Sequence, residues 1–391
     1  MRYNTLIFFF LCLLSCGPND KQKATERFAR LQEDAILEPY KGISTEDGIQ
    51  AGLFPIQATG VSTEPIVSAA KDFLSSLPAE LKLKTQFSIN DDEWRRWCNV
   101  DNGIYARQGV SLKEMTQDQK DAAFHLIQES LSAKGLQLSK DIMKTDHTLK
   151  ELNNGSEDYD EELYFFTIMG EPAETEPWGW QLDGHHLIIN YFVLGDQVVM
   201  SPVFMGGEPI ITTTGKYKGN TLFQDEQNLG MKFMRSLTDE QQQRATLSSN
   251  KKGSSNQASA FKDNAKINYE GIKMSDFPDA QKEALLFLAE QYINNMREGH
   301  QQVKMKEVRS HIDETYFAWI GTTDEDAVFY YRIHSPVVLI EFDHQAPVGV
   351  PGADFSKPSR NHIHTVVRTP NGNDYGKDLL HQHLQKHHHQ Q

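Results

Sequence analysis

Six side chains able to ligate a metal gather toward the C-terminus: His334, Glu341, Asp343, His344, His362 and His364. Their spacing is that of β-strands. In Val338–His344, alternation sends Val338, Ile340, Phe342 and His344 to one face and Leu339, Glu341 and Asp343 to the other. In Asn361–Arg368, the residues His362, His364, Val366 and Arg368 share a face. An H-x-H pair on a strand sets two imidazoles about 7 Å apart along one face, from which both reach one ion. With polar faces aligned, Glu341 or Asp343 adds an oxygen. Two imidazoles and a carboxylate suit Zn, Fe or Mn and leave positions for water or substrate. The expected donors to one divalent metal are therefore His362 and His364, supplemented from Glu341, Asp343 and His344. Pro336 interrupts the register before these strands, and His334 has no assigned place.

A second group is Trp178-Gly-Trp-Gln-Leu-Asp-Gly-His-His186. Trp178 and Trp180 lie on one strand face, where they floor a ligand pocket or fill a core. Asp183–Gly184 reads as a tight turn. On the pocket reading, Asp183, His185 and His186 are acid/base candidates at the rim. Arg332, Arg360 and Arg368 are candidates for binding a substrate carboxylate or phosphate. The chain holds no Walker loop, Rossmann fingerprint, G-x-S-x-G elbow, C-x-x-C pair or H-E-x-x-H helix.

The elements that must position these groups follow from capping and periodicity. Ser62-Thr63-Glu64-Pro65 opens a helix with apolar positions Ile66, Ala69, Ala70, Phe73, Leu74 and Leu77, ended by Pro78. Thr116 and Gln119 form a capping box for a second helix, with Gly135 as its stop. Strands follow at 163–169, 178–182, 185–193 and 197–204, and the turn cluster 369–378 leads into a last helix, 375–383.

The second half spells these elements again. Residues 70–80 align with 230–240, 118–122 with 280–284, 164–170 with 316–321, and 180–189 with 331–340, at spacings of 151 to 162 residues. The order predicts an α+β fold, an internally duplicated helix–helix–antiparallel-sheet unit packed as one body with helices outside. The halves run 61–205 and 215–384 within a single domain, 61–384. Residues 248–266, rich in Ser, Asn and Lys, read as a mobile loop.

Residues 1–16 read as a signal peptide: Arg2, an apolar run too short to span a bilayer, then Leu13-Leu14-Ser15-Cys16, which looks like a lipobox with Cys16 as the lipidation site. A polar tether and leading loop, 17–60, come next, and a His-rich tail, 385–391, ends the chain. Without the signal, only Cys98 remains as a free thiol, so no disulfide framework is expected. A net charge of −15 argues against nucleic acid as a partner. The expected location is extracytoplasmic, in the cell envelope, with membrane contact through the lipid anchor alone.

The segments 177–191 (PWGWQLDGHHLIINY), 329–345 (FYYRIHSPVVLIEFDHQ) and 362–383 (HIHTVVRTPNGNDYGKDLLHQH) resemble domain-of-unknown-function family 3500, a bacterial family of mostly exported proteins. EWRRWCNVD at 93–101 also fits, and the resemblance places an arginine at Arg360. It implies no chemistry by itself. The residues predict a metal-dependent hydrolase with a His/carboxylate site acting on an unidentified small molecule. The alternative is a non-catalytic small-ligand-binding protein with an aromatic-lined groove.

Overall fold

The computed structural model describes residues 18–388, with side chains from 20 to 386. Residues 1–17, which include the expected signal peptide and Cys16, and the end of the His-rich tail lie outside them. A helix, α1 (Pro18–Leu37), stands where a tether was expected. Its polar sequence conceals a narrow seam at Phe28, Gln32 and Ile36. Phe28 meets Phe261, and buried Gln32 accepts from the Tyr105 hydroxyl at 2.6 Å.

The first half then runs α2 (Glu64–Ser76), α3 (Ala79–Thr85), β1 (Gln86–Phe87), β2 (Val110–Ser111), α4 (Gln117–Ser130), α5 (Ala133–Leu152), β3 (Tyr164–Met169), β4 (Trp178–Gly184), β5 (Leu187–Leu194) and β6 (Gln197–Gly207). The Thr63 start of α2 and the Thr116/Gln119 capping box of α4 form as the sequence predicts. Gly135 is not a stop. Ser132 caps a further helix, α5, and Gly135 sits inside it where the chain passes closely; a Cβ there would lie 2.3 Å from the Asn295 carbonyl oxygen.

The second half runs α6 (Gln224–Ser236), α7 (Asp239–Ala245), β7 (Thr246–Ser248), β8 (Ile272–Lys273), α8 (Asp279–Ile293), α9 (His300–Ser310), β9 (Tyr316–Gly321), β10 (Phe329–His334), β11 (Leu339–His344), β12 (Ile363–Arg368) and α10 (Lys377–His388). Among the described residues, one twelve-stranded sheet carries both halves in the order β1-β3-β4-β5-β6-β12-β11-β10-β9-β7, with β2 on β3 and β8 on β9. The order reads alike from either end, and β6 and β12 pair antiparallel at the middle. The sheet is mixed, because β1 runs parallel to β3 and β7 parallel to β9. The fold is α+β.

Strand alternation builds two cores. On one face Trp178, Trp180, Leu182, Tyr331 and Phe342 pack with helix residues such as Phe73, Leu126, Phe233 and Leu285. On the other, Ile188, Phe192, Phe204, Leu339 and Val366 pack with Trp94, Trp97, Tyr375 and Leu379. Because both faces are covered, the central strands read as nearly continuous apolar runs. No described helix is long and apolar enough to cross a membrane.

The segment 248–266 belongs to the second face and is tied down by polar contacts. Lys251 pairs with Asp343 at 2.9 Å, the amides of Ser255 and Asn256 donate to Asp343, and those of Gln257 and Ala258 donate to Glu341. Its low hydrophobicity, taken in the sequence as a sign of mobility, reflects attachment by hydrogen bonds and ion pairs, Asp263 also pairing with Arg95 and Arg368.

Candidate metal centre

The sheet brings three histidines to one point beside its central junction. Gly184 pairs with Leu187, so the hairpin between β4 and β5 turns on His185–His186, two residues later than the Asp183–Gly184 turn read from the sequence. His186 takes a left-handed backbone, φ +59°, which costs a non-glycine residue about 1–2 kcal/mol. The Gly206 amide donates to its carbonyl at 2.8 Å, and Gly206 pairs with His364 on β12. His186, Gly206 and His364 therefore line up across neighbouring strands. His362 lies just before β12.

The three imidazoles meet through Nε2. The separations are 2.9 Å for His362–His364 and 3.2 Å for both His186–His362 and His186–His364. Metal–nitrogen bonds of 2.0–2.1 Å in a tetrahedral site imply N···N edges of about 3.3 Å, so the spacing fits a single ion. His362 Nδ1 lies 2.7 Å from the Ala346 carbonyl oxygen. Donation there fixes the tautomer and leaves a bare lone pair on Nε2, the second-sphere arrangement typical of ligating histidines. All three are buried. Burial, reinforced by neighbouring imidazoles, pushes His186 and His364 well below the usual histidine range. Burial also lowers His362, against the opposing pull of Glu208. Neutral imidazoles are the form a metal requires.

Glu208 and Asp146 frame the trio. The buried Glu208 carboxylate lies 3.5 Å from His362 Nδ1 and accepts the amides of Val348, Gly349 and Val350, fixing the loop that supplies the Ala346 carbonyl. Asp146, buried on α5, lies 2.6 Å from His185 Nδ1 and 2.6 Å from the Tyr164 hydroxyl. The His185 ring stacks on His186 with centroids 4.0 Å apart. Burial is the largest influence on His185 and pulls it down, but the charge and hydrogen bond of Asp146, together with the charge of Asp101, make the net shift upward.

The sequence profile of DUF3500, a family described as protein of unknown function, matches residues 59–377. The chain belongs to the DUF3500 family. No curated protein and no solved structure matched it.

In this DUF3500 chain the residues singled out from the sequence separate into three kinds. His362 and His364 converge, and their third partner is His186, which the sequence placed at a catalytic rim. Glu341 and Asp343 do face the same side as the H-x-H pair, but their carboxylates are taken by the 251–258 segment, with Tyr330 also donating to Glu341. They complete no ligand set with the histidines. His344 points to the opposite face, where Nδ1 accepts the Phe329 amide and Nε2 donates to Gln227.

The two-residue shift of the turn makes Asp183 a strand residue facing the second layer, where it pairs with buried Arg107 at 3.1 Å. It is not at a rim. Trp178 and Trp180 are fully buried; Trp180 donates to Ser130 and stacks on Tyr191. They are core and line no groove among the described residues. Arg368 is held by Asp263 and Asp374, and Arg332 by Glu270. Arg360 alone of the three arginines has no carboxylate partner among the described residues.

Sequence reasoning missed Asp146, Glu208 and Gly206. Asp146 left one trace, an acid within the buried stripe Ser139, Ile142, Met143, Leu149 of α5. Glu208 and Gly206 left none, because their roles exist only after β6 and β12 pair.

Proposed function

We propose that His186, His362 and His364 hold one divalent metal ion and that the chain is a metal-dependent hydrolase. The observation that carries this reading is the meeting of three neutral imidazole nitrogens within 3.2 Å, one with its tautomer set by Ala346. With imidazole replacing the anticipated carboxylate, Zn and Fe suit the donors better than Mn. A bound ion would supply Lewis acidity and orient a polar substrate group. His185, held at Nδ1 by Asp146, is the residue suited to move a proton beside it. Hydrolysis is the favoured class because an exported protein lacks soluble nucleotide cofactors.

Export and lipidation at Cys16 belong to the same reading, supported by the lipobox-like sequence. Membrane release in a Cys16→Ser variant tests them. The end-to-end symmetric strand order and the repeated motifs support duplication of one unit.

The decisive experiment is elemental analysis of mature protein with His387, His388 and His389 replaced by Ala, beside the further double variant His362→Ala/His364→Ala. We expect stoichiometric metal in the first and none in the second, with the circular dichroism unchanged. No bound metal in the first after addition of micromolar Zn, Fe or Mn would remove the basis of the proposal.

A further inference from the structure

Arg360 points to a second site. Its Nη1 donates to the Ala327 carbonyl at 3.0 Å, while Arg235, in the last turn of α6, donates through Nε and Nη2 to the Thr323 carbonyl at 2.9 and 2.7 Å. Main-chain carbonyls from one loop thus hold both guanidiniums in place without neutralising either charge. Lys232, one turn earlier on α6, has no hydrogen-bond or ion-pair partner among the described residues. These three cations line one open cleft of about 420 Å³ together with Asn228, Ser236 and a single carboxylate, Glu325.

A positive surplus of this kind is unusual in a chain of net charge −15. Unpaired like charges held together repel, and a multivalent anion removes that cost. Guanidinium groups fixed through part of their donor set still offer N–H groups to oxyanions, and Asn228 adds a neutral donor. The cleft is distinct from the histidine trio. It lies along α6, which packs on one face of the sheet, whereas His364 contacts Phe204 in the core of the other face.

We propose that the cleft formed by Lys232, Arg235 and Arg360 binds a small dianionic oxyanion, either a phosphate monoester or a dicarboxylate. Three lining cations against the Glu325 carboxylate, with Asp326 also near Arg360, leave a positive surplus that suits an oxyanion.

The test is calorimetric titration of the full mature chain with inorganic phosphate and, separately, succinate, each against a chloride blank of equal ionic strength. The same titrations are run on Arg235→Ala and Lys232→Ala, both at exposed positions. We expect saturable binding weakened at least about tenfold in each variant, with metal content unchanged. A response to phosphate alone assigns a phosphoryl ligand, and a response to succinate alone assigns a dicarboxylate. No saturable heat with either probe up to about 10 mM, or equal affinity in the variants, overturns the site.

Discussion

Gly206 shows how a residue with no chemistry of its own controls a site. It lies between the strands that carry His186 and His364, and a Cβ there would sit 2.7 Å from the Ile363 carbonyl oxygen. The same Cβ would lie 3.1 and 3.2 Å from the Cδ2 atoms of His364 and His186. Adding one methyl group must therefore push the two rings apart or shift β12. Gly206→Ala is expected to weaken metal binding about 10- to 100-fold, the range of other changes just behind metal ligands, and to cost about 1–3 kcal/mol through overpacking. Competition with a chromophoric chelator measures the first and urea unfolding the second. Unchanged affinity would mean that ring spacing is not what defines the site.

At the scale of elements, the 248–266 segment and β11 form a unit that the sequence presented as unrelated parts. Asp343 is fully buried, and burial raises its pKa to about 6 although Lys251 pulls the other way. Removing Lys251 leaves a buried carboxylate whose remaining partners are neutral donors. Lys251→Met should therefore destabilise the fold by about 3–5 kcal/mol, and Lys251→Met/Asp343→Leu should recover part of that loss. Both variants should still bind metal. A single variant as stable as wild type in chemical denaturation would show that the segment is not fastened by this pair. The α4–α5 boundary carries the same lesson: Gly135 reads as the stop of α4 by composition, yet it lies inside α5, the helix that delivers Asp146 to His185.

Across the whole molecule, a sheet covered on both faces buries titratable groups that are not among the proposed metal ligands. Burial pushes both His334 and His344 down to about 3. Between that value and the ordinary 6.5, the unfolded chain binds protons that the folded chain does not, so stability rises with pH. Each histidine leaves stability intact above pH 6.5 and removes about 2 kcal/mol by pH 5. Asp183 and Asp343, raised by burial to about 6, act in the opposite sense below that pH. The clean comparison is therefore wild type against His334→Asn/His344→Gln, unfolded by urea at pH 7 and pH 5. The variant should lose less stability across this interval. Parallel losses would show that these histidines are not held neutral in the fold.

The sequence alone determined the α+β class, the main strands, the start of α2, the capping box of α4, and the face on which His362 and His364 lie. Each of these depends on local periodicity or on a cap within a few residues. It also put Glu341 and Asp343 on the same face as the H-x-H pair, and that geometry holds. What alternation cannot express is competition for those carboxylates, which was settled by amides from a segment more than eighty residues away. Nor can it show that shifting one hairpin turn by two residues swings His186 toward β12 and Asp183 toward Arg107. The third imidazole, the glycine gap and the Asp146 and Glu208 supports come into being only when distant strands pair, because a site assembled across a sheet depends on register between segments, and register is a property of the tertiary fold.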